Sequence, residues 1–132
     1  MASPAEDMRN HAEEAGVPDG VDGLRTFIGT KPDRKISDAS LVYYDAGGSE
    51  HLFEAGIDTA SVRIMATHEE YRTCWAIVEA VRDWFFELVG GFEGEAHRYL
   101  GFWGAGTPQA LGRDENNDHQ ITTVLRTERV RL

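Results

Sequence analysis

Thr67-His68-Glu69-Glu70-Tyr71-Arg72-Thr73-Cys74-Trp75-Ala76-Ile77-Val78-Glu79-Ala80-Val81-Arg82-Asp83-Trp84-Phe85-Phe86-Glu87-Leu88-Val89 is the stretch on which the fold turns. Tyr71, Cys74, Trp75, Val78, Val81, Phe85 and Leu88 recur at steps of three and four, which predicts one helix over 67–89 with a single apolar face. Thr67 and Glu70 have the spacing of a capping box, and Gly90-Gly91 supply the residues that tolerate a left-handed stop. Ile77, Trp84 and Phe86 widen the stripe beyond what one sheet face covers. Two readings follow: a second subunit takes the surplus, or the helix is simply over-wide in its own core.

Upstream of that helix, Ala60 to Ala66 alternates Val62 and Ile64 with Ser61, Arg63 and Met65, the period of a half-buried strand. Ala39 to Asp45 is rich in β-formers and predicts another strand, ended by Ala46-Gly47-Gly48-Ser49. Downstream, Ala96–Trp103 and His119–Arg131 predict two more, the last centred on Ile121-Thr122-Thr123-Val124. At the start, Ser3-Pro4-Ala5-Glu6 pairs a capping spacing with proline at the first helical position, which predicts an N-terminal helix within residues 1–16, closed by Gly16. Its apolar face (Ala5, Met8, Ala12, Ala15) is thin, so it should lie on the surface or dock against a neighbour. Val21 to Ile28 reads as a short strand or a helical turn. The expected fold is a single α+β domain over 1–132: a twisted antiparallel sheet in the order α–β–β–α–β–β, packed on one side by the two helices.

Composition narrows the function classes. The 132 residues are 41% hydrophobic, with Trp, Tyr and Phe supplying most of the bulk, and carry a net charge of −10. That charge argues against a dedicated nucleic-acid surface, which needs clustered cations. Only Lys31 and Lys35 are lysines among thirteen cationic residues; with so many Asp and Glu, this balance suits a chain living in high salt. No apolar run reaches the length of a membrane span, and the acidic N-terminus does not read as a signal peptide. The one cysteine, Cys74, excludes an internal disulfide and reads as a buried thiol on the helix face.

No pattern points to catalysis, a metal or a cofactor. Gly101-Phe102-Trp103-Gly104-Ala105-Gly106 lacks the following helix and the Lys-Ser/Thr of a phosphate loop. Asp114-Glu115-Asn116-Asn117-Asp118 lacks the central glycine and terminal glutamate of a calcium loop and reads as a solvated turn. His11, His51, His68, His97 and His119 are scattered, without ligand spacing. Glu13-Glu14 and Glu69-Glu70 are adjacent on helices, so they point apart and share no proton. What remains is surface built for contact: the stretches Ala46–Asp58 and Gly104–Asp118 are long for this size of domain. Within the first, Leu52 and Phe53 either offer an apolar contact or fold back over the sheet edge.

Phe27-Ile28-Gly29-Thr30-Lys31-Pro32-Asp33, then Val42-Tyr43-Tyr44-Asp45-Ala46-Gly47-Gly48, then Gly106-Thr107-Pro108-Gln109-Ala110-Leu111-Gly112-Arg113-Asp114-Glu115-Asn116 together resemble, in order and spacing, the minor-capsid or tail-terminator neck proteins of tailed viruses. The resemblance runs over about residues 20 to 131. It departs from the family at Asp58-Thr59-Ala60-Ser61 and at Asn117-Asp118, positions that bear on terminator versus head-side stopper or adaptor. It implies a non-enzymatic virion protein without cofactor or metal, assembled in the host cytoplasm. Copies would form a homo-oligomeric, hexameric ring that caps the tail tube and meets the head–tail connector. Genome DNA would pass through without specific binding, and no membrane is involved. On that resemblance the candidate partner-binding residues are Asp45, Gly47, Gly48, His51, Leu52, Phe53, Leu111, Arg113, Asp114 and Glu115, and the candidate subunit contacts are Trp84, Phe86 and Met8. A small ferredoxin-like binding module, which would need an apolar pocket, is the reading from another class.

Overall fold

The computed structural model describes residues 2–29, 39–52, 57–104 and 106–132. Among these, Ser3 caps the first helix, its Oγ accepting the Glu6 N–H at 3.3 Å, and Pro4 opens α1 (Pro4–Glu14). The thin apolar face is enough: Ala5, Met8 and Ala12 are fully buried against the sheet. Small residues let the helix axis come close, and Met8 fills the gap that the alanines leave. Met8 is thus a core residue, which corrects its expectation as a subunit contact.

Among the described residues, seven strands form one curled sheet: β1 (Leu24–Ile28), β2 (Ala39–Leu52), β3 (Ile57–His68), β4 (Phe92–Glu93), β5 (His97–Gly104), β6 (Gln109–Arg113) and β7 (His119–Arg131). Their spatial order is β1-β2-β3-β7-β5-β4, with β6 also paired to β7. The fold is α+β with a sheet that is mostly antiparallel, but β1 runs parallel to β2, with Phe27 beside Val42 and Ile28 beside Tyr43. The expected element order therefore changes. A short strand precedes the two long ones, and β4 and β6 join the two strands after the second helix. The stretch expected as a loop after Asp45 is strand as far as Leu52, and β3 starts again at Ile57. Likewise β6 occupies five residues of the long stretch before the last strand.

The central helix, α2, runs from Tyr71 to Phe86, shorter at both ends than its periodicity suggests. Thr67 does not cap it. That residue lies in β3, paired with Ser40 on one side and Gln120 on the other, and sheet pairing outweighs the local capping pattern. Glu70 takes the cap position without a side-chain bond to the helix backbone, accepting instead from Thr73 Oγ1 at 3.0 Å. The buried face is Cys74, Ile77, Val78, Val81 and Phe85, so the stripe is rotated toward Ile77, and Tyr71 at one end is 46% exposed. The helix lies across β3 and β7, where Val62, Ile64, Ala66, Ile121 and Leu125 complete the core. No described helix is long and apolar enough to cross a membrane.

Candidate functional site

Since residues alternate across a strand, one sheet face meets the helices and the other does not. On the helical side, Tyr43 of β2, Ile64 of β3 and Thr123 of β7 share one register. The neighbouring register, Tyr44, Arg63 and Val124, therefore turns away from the helices. The same outer face carries Arg25 and Phe27 of β1, Met65 of β3, Arg126 of β7 and, beside Arg126, Trp103 of β5. Arg25, Arg63 and Arg126 are exposed, and Trp103 is 41% exposed. Arg63 donates to the Thr122 hydroxyl at 3.4 Å. Glu128, two residues on from Arg126, lies on this face as well, and the face's Val42 and Thr122 are buried. In a chain of net charge −10, the exposed middle of the face is therefore Arg63 and Arg126 with Tyr44 and Trp103 beside them.

The opposite side is acidic. Glu79, Asp83 and Glu87 recur every fourth residue along the exposed side of α2 and so form one ridge, with the small Ala76 and Ala80 beside it. Glu79 accepts from the Trp75 indole N–H, and Asp83 lies 3.9 Å from the Arg82 guanidinium. A polar depression of about 340 Å³ opens at α1 and the β4–β5 turn, lined by Asn10, His11, Glu14, Glu93 and Glu95 above the buried Asp7. Among the described residues, no three His, Cys, Asp or Glu side chains come together as a metal-ligand group.

The sequence-predicted residues fall in several places. Asp45 accepts the Ala5 N–H at 2.9 Å and so fastens the start of α1 to β2. Gly47, at φ +86°, and Gly48 lie where the β2–β3 register shifts, a bulge rather than a free loop. His51 and Leu52 end β2, with Leu52 paired to Ile57, and Phe53 lies outside the described residues. Leu111 is 49% exposed on β6. Asp114 shapes the turn into β7: its Oδ1 accepts the N–H groups of Asn116 at 2.9 Å and Asp118 at 3.0 Å, with Asn117 left-handed at φ +63°. Arg113 reaches across that turn to Asn117 at 3.0 Å, and Glu115 is exposed at its tip. Trp84 is half-buried beside His11, and Phe86 is half-buried under the Arg82 guanidinium, 4.5 Å from its ring centre.

Sequence reasoning passed over a buried polar chain. Asp7, 5% exposed, accepts the Tyr99 hydroxyl at 2.7 Å through Oδ2 and the Glu95 N–H at 3.1 Å through Oδ1. Arg129 lies beside the same Tyr99 hydroxyl and meets Asp58 in a two-pronged ion pair at 2.7 and 3.3 Å. The chain Asp7–Tyr99–Arg129–Asp58 thus ties α1 to β5, β7 and β3. Burial, reinforced by Asp7, pushes the Tyr99 hydroxyl pKa well up. Burial also acts against the charge on Arg129, but Asp58 more than offsets it and raises the guanidinium pKa. Nearby, His97 is buried, and among the described residues its Nδ1 has no partner; burial, then the Arg129 charge, lowers its pKa. Cys74 is inert by environment: its thiol donates to the Ala66 carbonyl at 3.2 Å, and burial lifts its pKa to about 11. No signal local to Asp7 could have revealed its role, because its partners lie about ninety positions away.

No protein-family model matches the chain, and no curated protein matches it.

Proposed function

We propose that this chain is a structural protein of a tailed-virus neck: a tail terminator whose copies close into a ring on the tail tube and meet the head connector. The observation that carries this reading is the run of three motifs at residues 27–33, 42–48 and 106–116, in the order and spacing of that family. The fold gives support in one respect. The starts of the first two motifs lie side by side as paired strands, and the third supplies β6 and the shaped turn into the last strand. In this reading the exposed Leu111 and Glu115 meet the neighbouring neck proteins, and the protein does no chemistry. The cavity at α1 is lined by four acids, Asn10 and His11 against only Ala2, Phe92 and Gly94, which does not suit the apolar ligand that a small binding module would take.

The test is the mass of the purified protein by light scattering, across concentration and at low and high salt, with and without tail-tube protein. A closed hexamer, or a monomer that becomes one on meeting the tube, is the expected result. A monomer under every condition, indifferent to tube protein, overturns the reading.

A further inference from the structure

We infer that the outer sheet face is the seat for a second copy of this chain, which lays the acidic ridge of its α2 across Arg63 and Arg126. The inference rests on the ring reading and specifies its contact. Charge complementarity is the argument. Arg63 and Arg126 occupy diagonal positions on neighbouring strands, since Arg126 pairs with Ser61 two residues from Arg63. Such diagonals place side chains about 7–8 Å apart. On α2, Glu79 and Asp83, or Asp83 and Glu87, are separated by one helical turn, about 6 Å along the axis. The two spacings match closely enough for each guanidinium to meet one carboxylate.

The flanks fit as well. Ala76 and Ala80 leave the ridge low, and Trp103 and Tyr44 stand beside the arginines as aromatic surface on which a low helix can rest. Among the described residues, Arg63 meets the Thr122 hydroxyl and no carboxylate pairs with either Arg63 or Arg126, so neither gives up an ion pair to a described residue on docking. The two surfaces lie on opposite sides of the domain and differ in kind. The contact is therefore head-to-tail, the type that propagates from copy to copy and can close into a ring. A polyanion such as single-stranded nucleic acid would meet the same arginines, but it would also have to approach a chain of net charge −10.

The experiment compares the assembly state of wild type with two charge-reversed proteins, R63E/R126E and E79K/D83K, alone and mixed, using light scattering and checking each fold by circular dichroism. Wild type should assemble, each variant alone should stay monomeric, and the equimolar mixture should assemble again. If reversal unfolds either protein, the neutral pairs R63Q/R126Q and E79Q/D83N replace it, with the half-assembly concentration expected to rise about tenfold or more. Wild-type assembly that both variants retain overturns this contact and leaves the ring reading standing. A mixture that fails to assemble rules out the ridge as the partner surface. Wild type that stays monomeric everywhere sinks both ideas. If wild type instead binds a fluorescent single-stranded oligonucleotide, and R63E/R126E does not, the face belongs to nucleic acid and the inference is wrong.

Discussion

Replacing Asp7 with alanine tests whether α1 is fastened to the sheet by the buried polar chain or only by apolar contact. The substitution removes the acceptor of two hydrogen bonds, from the Tyr99 hydroxyl and the Glu95 N–H, at a site 5% exposed. Hydrogen bonds to a charged group contribute about 1.5–3 kcal/mol each, and donors left buried without a partner add to the loss. The neighbouring Arg129 guanidinium is a donor only, so it cannot accept the hydroxyl proton in place of Asp7. The expected loss is about 3–5 kcal/mol, a large share of the roughly 5–15 kcal/mol by which a domain is stable. For 132 residues that corresponds to a fall in Tm of about 11–18 °C. Urea unfolding followed by circular dichroism, at one fixed salt concentration, measures it. Tyr99→Phe provides the other arm of a double-mutant cycle: it should cost about 1–2 kcal/mol alone and add little to Asp7→Ala, since both remove the same bond. A loss under about 1 kcal/mol for Asp7→Ala, or strict additivity in the cycle, would falsify the view that this bond fastens α1.

Two further outcomes follow from the same region. Gly91 sits at φ +67°, where an added Cβ would collide with the Tyr99 carbonyl oxygen; Gly91→Ala should therefore cost about 2 kcal/mol or more, and a urea midpoint equal to wild type would mean that the close approach does not exist. His97 has a folded pKa below its ordinary 6.5, so the unfolded chain binds its proton first as pH falls. Its contribution is thus complete above pH 6.5 and is lost as pH drops toward the folded pKa, with a slope of at most about 1.4 kcal/mol per pH unit. Unfolding at pH 7.5, 6.5 and 5.5 should show that loss, and His97→Gln should flatten it; an unchanged slope in the variant assigns the effect elsewhere, with His11, also lowered by burial, the next group to replace.

The parts of this fold that the sequence makes legible are those with a long period. Cys74, Val78, Val81 and Phe85 repeat often enough to mark a helix face, and Val62 and Ile64 mark a strand, because burial repeats along each element. What escapes is whatever depends on a distant partner. Thr67 looks like a cap until Ser40 and Gln120 claim it for the sheet. Leu24–Ile28 is too short to show a period, and its parallel pairing with β2 has no local signature. The exposed β6 has no buried residue to alternate with, so only its pairing with β7 makes it a strand. The same limit explains the candidate residues. Asp45 and Asp114 stand out in sequence as acids near glycines, yet Asp45 spends a carboxylate oxygen on the Ala5 N–H of α1, forty positions away, and Asp114 on two N–H groups of its own turn. Asp7 looks like an ordinary first-turn acid and is buried, holding Tyr99.

The distribution of charge makes salt act on fold and on the proposed contact in opposite directions. A chain of net charge −10 repels itself, and the exposed acids of α2 stand at one-turn spacing along one face, a like-charge arrangement that destabilises a helix. Added salt screens that repulsion and should strengthen the monomer fold. The same screening weakens the attraction between that ridge and Arg63 and Arg126 of a neighbouring copy. Of these opposed effects, assembly loses less than the exposed geometry suggests. Docking removes water from the arginines, and a pair that leaves solvent is screened less than one that stays in it. The aromatic flank of Tyr44 and Trp103 adds a contact that salt does not weaken. An acidic chain with a small arginine-bearing face can therefore be stable and assembled in the same concentrated salt, where an assembly held by exposed ion pairs alone would come apart.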